Sequence, residues 1–174
     1  VRGFDDDEIL HPGGDIDPMK DIAKMEEEVR TVDFLSIEKR LEKLESDMKK
    51  VKTKEMQEEH DLFSKLKKWV EEEKPLRDLQ LNGKEEVAIR GFKLLSMKPI
   101  ITIINTDENN YDKYKKLNGT RDGKRLTLVF CGQIESELLE LDPEEREIFQ
   151  GEYGLEDYEY IKSNFIRASY DLMG

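Results

Sequence analysis

The sequence predicts an α/β fold in which parallel strands and helices form one part of the chain and an antiparallel helical hairpin is inserted into it. Two short uncharged runs predict strands buried on both faces, as in a parallel sheet covered by helices: IITII at 100–104 and LTLVF at 126–130. Residues 19–74 instead repeat their apolar side chains with the period of a helix. These observations together predict a sheet domain with a helical insertion.

Length and composition limit the function classes. A chain of 174 residues is one domain, or one domain with an insertion, and 40% charged residues indicate that part of it is solvated helix. The net charge of −12 argues against general coating of nucleic acid and against an anionic membrane surface. The single cysteine, the lack of a long apolar run and the lack of a secretory signal predict a cytoplasmic protein. A start at Val1 instead of Met leads us to expect the cut edge of a longer chain.

The first helix is predicted to begin after a loop that covers residues 1–18. Asp17 has the side chain of an N-cap residue, and Pro18 is suited to the first helical position. The apolar positions that follow, and that we expect on one face, are Ile22, Met25, Val29 and Val32.

The helical pattern then tightens into a heptad seam. Apolar residues recur at alternating spacings of three and four, with charges beside them: Phe34, Ile37, Leu41, Leu44, Met48 and Val51. A stripe this narrow needs one partner helix. The partner is predicted between Met56 and Val70, with Thr53 as its cap, so the two helices form an antiparallel arm on the order of 30 Å long.

Four lysines lie within six residues at the tip of this predicted arm. We call them the tip lysines: Lys49, Lys50, Lys52 and Lys54. One interpretation is a solvated turn that keeps the arm soluble. The other is a contact with a phosphate backbone such as ribosomal RNA, in which each lysine adds a salt-sensitive contribution.

A capped helix and a strand follow the arm. Asn82 and Glu85 have the spacing of a capping box, which predicts a helix from there to about Leu95. The strand at 100–104 then ends in the polar sequence Asn105-Thr106-Asp107-Glu108. Ligands in open α/β sheets bind at the carboxyl ends of strands. The amide and acid at this corner suit either a planar ligand such as a nucleobase or an ordinary polar turn.

The second strand ends in a similar corner, Cys131-Gly132-Gln133. The glycine permits close approach of a ligand to the backbone, whereas Cys131 has no nearby histidine to activate it as a nucleophile. Gly119 and Gly123 precede a lysine without the spacing of a phosphate loop, so residues 118–124 are predicted to form a surface turn. Helices are predicted after this corner, after Asp142 and from Ile161 to Leu172.

The order of these segments resembles the YchF/Obg-like ATPase family of P-loop NTPases. The segments that carry the resemblance are VRGFDDDEILHPGGDIDPMKDI, the hairpin, KPIITIINTDE, CGQIESELLELDPEEREIF and GLEDYEYIKSNFIRASYDLMG, which together cover nearly all of the chain. The resemblance implies the carboxyl-terminal part of a P-loop G domain with the family's coiled-coil insertion. The implied segments are a G-domain edge loop at 1–18, the hairpin at 19–75 and the rest of the G domain at 76–174.

The resemblance also implies roles for residues at the two corners. Asn105 matches the motif asparagine that bonds the base, Thr106 offers a backbone contact to adenine, and Glu108 stands where GTPases carry a guanine-reading aspartate. Phe4 resembles the aromatic residue that packs on the base. The other side of the base is implied to be lined by Cys131, Gly132 and Gln133.

Two functions from different classes follow. The first is the base-reading part of an ATP-preferring NTPase that also binds GTP, whose parent protein uses Mg²⁺ and touches the ribosome through the arm. The family's phosphate loop, switch regions and magnesium ligands are implied to lie before Val1 and its TGS domain after Gly174, so this chain has no assigned catalytic or metal-binding residue. We therefore expect the 174 residues alone to bind nucleotide weakly and not to hydrolyse it. The alternative is a non-enzymatic interaction module that binds a protein or ribosomal RNA through the arm.

Overall fold

A four-stranded, mostly parallel sheet surrounded by helices forms the α/β part of the protein. The computed structural model describes residues 1–6, 8–152 and 161–173, so the segment 153–160 of the family resemblance lies outside the described residues. The strands are β1 (Arg2–Gly3), β2 (Ile100–Thr106), β3 (Arg121–Asp122) and β4 (Arg125–Cys131). The helices are α1 (Pro18–Met48), α2 (Lys54–Glu71), α3 (Gly83–Ile89), α4 (Glu108–Tyr114), α5 (Gly132–Glu140), α6 (Pro143–Glu152) and α7 (Ile161–Met173).

The strands lie in the order β1-β2-β4-β3. β1, β2 and β4 run parallel, and only β3 is antiparallel to its neighbour. The two predicted strands are confirmed as β2 and β4, which pair along their full length. The two-residue strands β1 and β3 were not predicted, because two residues are too few to show an alternating pattern. Gly123, at φ 57°, makes the turn between β3 and β4 within the predicted surface turn.

The chain divides into two compact units, which we call the sheet unit (Val1–Ile22 and Ile100–Gly174) and the helical unit (Ala23–Pro99). This differs from the predicted boundary at residue 75, because residues 76–99 group with the hairpin. Leu76, Ile89 and Leu94 are buried in the same core as residues of both hairpin helices. A turn at Lys93, which has a φ of 52°, lets Leu94 reach that core.

The two helices of the arm are antiparallel. Glu38 pairs with Lys67 at 2.7 Å, whereas Arg40, further along α1, pairs with the earlier α2 residue Glu59 at 2.6 Å. The seam residues Ile37, Leu41 and Leu44 are buried. The predicted cap is confirmed, because the Met56 N–H donates to the Thr53 hydroxyl at 3.2 Å. The seam ends earlier than predicted: α1 stops at Met48, and Val51 is exposed in the turn.

The amino-terminal half of α1 buries Ile22 of its predicted apolar face, but it also buries acids. Met25 and Val32 are 41% and 50% exposed, whereas Asp33 is 2% exposed. The Asp33 carboxylate accepts the backbone N–H groups of Leu95 and Ser96 at 2.7 and 2.6 Å. A buried charge is tolerated only where hydrogen bonds satisfy it, and here the irregular segment before β2 supplies the donors.

Two other segments differ from their predicted form. The helix after Asn82 ends at Ile89 and continues as short 3₁₀ turns, although its predicted capping box is confirmed. The polar stretch after Glu108 forms α4 and buries Tyr114, a helix that was not predicted from the sequence. Within the described residues, no helix combines the length and apolar character needed to cross a membrane.

Candidate functional site

Three strand ends meet at one edge of the sheet. Because β1, β2 and β4 are parallel, their carboxyl ends point the same way, and Thr106 is the register partner of both Gly3 in β1 and Cys131 in β4. Phe4 therefore follows β1 at the same edge at which β2 and β4 end. The two polar corners predicted from the sequence lie side by side, in the place where open α/β sheets bind ligands.

Asn105 connects the two corners directly. Its side-chain oxygen accepts the backbone N–H of Gly132 at 3.0 Å. Gly132 is the first residue of α5, so Asn105 contributes to the cap of this helix from the neighbouring strand. A Cβ at Gly132 would lie 3.0 Å from the Asn105 side-chain oxygen, which explains the glycine. The amide Nδ2 of Asn105 makes no hydrogen bond within the described residues and keeps its donors.

Glu108 and Asp107 have different roles although they are adjacent acids. Glu108 opens α4, is exposed, and forms no hydrogen bond or ion pair with another described residue. Asp107 caps α4: its Oδ1 accepts the Asn110 N–H at 2.7 Å, and its Oδ2 accepts the Asp5 N–H at 3.3 Å. Burial alone would raise the pKa of the Asp107 carboxyl, but the hydrogen bonds from Asn110 and Asp5 outweigh it and lower that pKa.

Phe4 stands at the side of β1. Its ring is partly buried, and the guanidinium carbon of Arg2 lies 4.9 Å from the ring centroid. Arg2 also donates through Nε to the carbonyl of Phe4 at 2.9 Å. Arg2 therefore fixes both the ring and the backbone of the loop that begins at Phe4.

The remaining corner residues present mainly backbone. The thiol of Cys131 is fully buried, and burial raises its pKa, which keeps it protonated and unreactive near neutral pH. Thr106 is also buried, and its hydroxyl donates to the carbonyl of Phe130 at 3.0 Å. Gln133 is exposed, and its Nε2 donates to Glu137 at 3.2 Å. Among the described residues, no cluster of three acids, histidines or cysteines could hold a metal ion.

The tip lysines lie in the helical unit, at the turn between α1 and α2. All four side chains are exposed. Lys54 approaches Glu58 at 3.7 Å, and the other three form no ion pair with a described residue. The turn thus presents uncompensated positive charge on a protein whose net charge is −12.

Asp107 is the residue of this corner whose capping role was not predicted from the sequence. Its carboxylate is directed at backbone and amide donors, which compensate its charge. The sequence does contain a signal for this capping role. Asp107 follows a strand and precedes Tyr111 and Tyr114, which are three residues apart, and this pattern is typical of an N-cap at the start of a helix.

Comparisons with known proteins identify relatives of this chain. No family model matches the chain. It is similar to a Bacillus subtilis protein named ribosome-binding ATPase YchF, with 33% identity over 181 aligned residues, 100% of this chain and 49% of the relative. It is also similar to Obg-like ATPase 1 of Caenorhabditis elegans, with 30% identity over 88% of this chain and 41% of the relative. The chain thus spans about half the length of the curated relatives it matches.

A solved structure has the same fold. The YchF GTPase of Schizosaccharomyces pombe superposes with a TM-score of 0.76 at 24% identity, over 99% of this chain and 48% of that one. The superposition confirms the predicted α/β architecture, with parallel strands and many helices.

Proposed function

Because the chain belongs by its sequence to the YchF/Obg-like ATPase family, we propose that its sheet edge is the base-recognition part of an ATP-preferring NTPase that also binds GTP. The observation that carries this proposal is the contact between the two corners, in which the Asn105 oxygen accepts the Gly132 N–H and leaves the amide donors of Asn105 available. A cytoplasmic location is part of the same proposal.

The free polar groups at the edge match the edge of adenine. Adenine presents an acceptor at N7 beside a donor at its N6 amino group, whereas guanine presents acceptors at both N7 and O6. The Nδ2 of Asn105 is a donor and the carboxylate of Glu108 is an acceptor. A donor beside an acceptor complements adenine and repels the O6 of guanine. In this proposal Phe4 packs on one face of the base, and the backbone at Thr106 and Gly132 borders it.

Phosphate binding and hydrolysis are proposed for the whole protein and not for these 174 residues alone. The 174 residues contain no GxxxxGK[ST] sequence, which is the loop that cradles phosphates in P-loop NTPases. Nucleotide phosphates and Mg²⁺ dominate both affinity and catalysis in phosphoryl transfer. We therefore propose that ATP or GTP hydrolysis with Mg²⁺ is an activity of the full-length gene product, and that the 174 residues alone release no phosphate from ATP.

The test compares the two nucleotides in the full-length gene product. Competition against a fluorescent ATP analogue measures the affinities for ATP and GTP in the wild-type protein and in Glu108→Ala. We expect the variant to bind ATP about tenfold more weakly, with a smaller change for GTP, because the acceptor opposite the amino group is gone.

The control is Glu144→Ala, which removes an exposed acid from the first turn of α6. It changes the net charge equally and should leave both affinities unchanged. An equal loss of ATP and GTP affinity in Glu108→Ala would contradict base reading by this residue. Phosphate release by the 174 residues at the rate of the full-length protein would refute the expected inactivity.

The tip lysines favour a second function, contact between the arm and ribosomal RNA. Exposed ammonium groups on a phosphate backbone release counterions, so the logarithm of the affinity falls linearly with the logarithm of the salt concentration. We expect substitution of all four tip lysines by glutamate to weaken ribosome co-sedimentation and to reduce its salt dependence. The slope should fall by about one unit for each phosphate group that a lysine no longer neutralises.

A matched control makes the same change of charge at four lysines that lie outside the tip. Four other exposed lysines lie along α1 away from the turn: Lys20, Lys24, Lys39 and Lys43. Their substitution by glutamate should affect sedimentation less than substitution at the tip. Equal effects of the two sets would indicate a general response to net charge instead of a contact at the turn.

A further inference from the structure

We infer that Asp107 is a positioning residue for base binding, because its carboxylate joins the loop that begins at Phe4 to the first turn of α4, which carries Glu108. This inference rests on the proposed function of the sheet edge. It concerns a residue that we do not expect to touch the base itself.

Both carboxylate oxygens of Asp107 are used within the protein. Oδ1 accepts the backbone N–H of Asn110 at 2.7 Å, and the side-chain amide of Asn110 lies 3.0 and 2.9 Å from Oδ1 and Oδ2. Oδ2 also accepts the backbone N–H of Asp5 at 3.3 Å. Both oxygens of the carboxylate are thus directed at the two segments that it connects.

Each connected segment carries one side chain of the proposed base site. Asp5 directly follows Phe4, and Glu108 directly follows Asp107. The strand pairing of β1 with β2 ends at Gly3 and Thr106, so it does not extend to either side chain. Beyond that last pair, the Asp107 carboxylate is a direct link between the loop and the helix.

Replacement of Asp107 by asparagine separates its two roles, which are the cap on α4 and the hydrogen bond to Asp5. Asparagine is as good an N-cap as aspartate, so Asp107→Asn keeps the cap on α4 through its oxygen. Its second polar atom is an NH₂ group, which cannot accept the Asp5 N–H. We therefore expect Asp107→Asn to fold with nearly unchanged stability while the loop that begins at Phe4 loses its hydrogen bond to Asp107.

The experiment uses the full-length gene product and two probes, ATP and tripolyphosphate, in competition with a fluorescent ATP analogue. We expect Asp107→Asn to bind ATP about fivefold more weakly and tripolyphosphate, which has no base, as the wild-type protein does. The Asp5 amide should also exchange its hydrogen faster, because the variant removes its acceptor.

The matched control is Asp142, whose Oδ1 caps α6 by accepting the N–H groups of Glu144 and Glu145 at 2.9 Å each. Asp142→Asn should leave ATP affinity unchanged. Glu108→Ala tests base recognition itself, whereas Asp107→Asn tests the positioning role. If Glu108→Ala loses ATP affinity and Asp107→Asn does not, the positioning role is wrong. If neither variant changes ATP affinity, base recognition at this edge is wrong as well.

Discussion

Replacing Asn105 by aspartate separates the stability of the sheet edge from its proposed recognition of a base. Aspartate keeps a side-chain oxygen that accepts the Gly132 N–H, so the cap on α5 remains. It replaces the free amide donor by an oxygen, which would face the N7 acceptor of adenine. Alanine at the same position removes both groups. We therefore expect Asn105→Asp to lower the affinity for the base without loss of the cap, and Asn105→Ala to lower both affinity and stability.

The magnitudes follow from the contacts. Loss of the 3.0 Å bond to Gly132 in Asn105→Ala should lower the free energy of unfolding by about 1 kcal/mol. For a domain of this size that corresponds to a melting temperature lower by about 2–4 °C. In Asn105→Asp the cap persists, but an acceptor against an acceptor should weaken ATP binding by about 2 kcal/mol, or roughly 30-fold.

Thermal unfolding and competition with a fluorescent ATP analogue measure the two quantities in the full-length protein. Asn118→Asp is the control, because Asn118 also accepts a strand N–H through its side-chain oxygen, that of Val129 at 3.0 Å, but is not one of the residues proposed to contact the base. This control should leave ATP affinity unchanged. Wild-type affinity for ATP in a folded Asn105→Asp protein would refute the role of the amide as the base-reading donor.

Three further predictions concern stability, each measured by urea unfolding. Arg77→Met should destabilise the protein by about 3–5 kcal/mol, because it leaves the Glu26 carboxylate, now 2.6 Å from Arg77, buried without that partner; a loss below about 1 kcal/mol would contradict this. Asn82→Ala should cost about 1 kcal/mol by removing the capping box of α3, and an unchanged midpoint would argue against the cap. The lowered pKa of Asp107 predicts that the stability it contributes is complete above its ordinary pKa of 3.8 and is lost as the pH falls through its lower folded value. The difference in the free energy of unfolding between wild type and Asp107→Ala, which removes the carboxylate and the cap, should therefore shrink in acid, and a pH-independent difference would contradict the reasoning.

Much of the architecture could be predicted from local sequence. The uncharged β-branched runs predicted β2 and β4, and the caps at Asp17, Thr53 and Asn82 predicted where helices begin, because these signals act within a few residues. The spacing of the seam predicted the antiparallel arm in the same way. The polar corners at the ends of both strands could likewise be located, because they are contiguous in the chain.

Other features depend on contacts between residues distant in sequence. The amino-terminal half of α1 has an apolar face at helical spacing, yet the protein buries Asp33, because backbone N–H groups 62 and 63 residues away satisfy its charge. The role of Asp107 likewise depends on Asp5, 102 residues earlier in the chain.

Short-range periodicity and capping thus predict the fold class, the helical arm and the two polar corners of the sheet. They do not reveal that Asn105 uses its oxygen on Gly132 and keeps its amide free, or that of two adjacent acids Asp107 is bound internally while Glu108 is exposed. Those assignments depend on hydrogen bonds between residues 27 and 102 positions apart, which give each polar group its partner. Local sequence specifies which groups are present but not which of them remain free for a ligand.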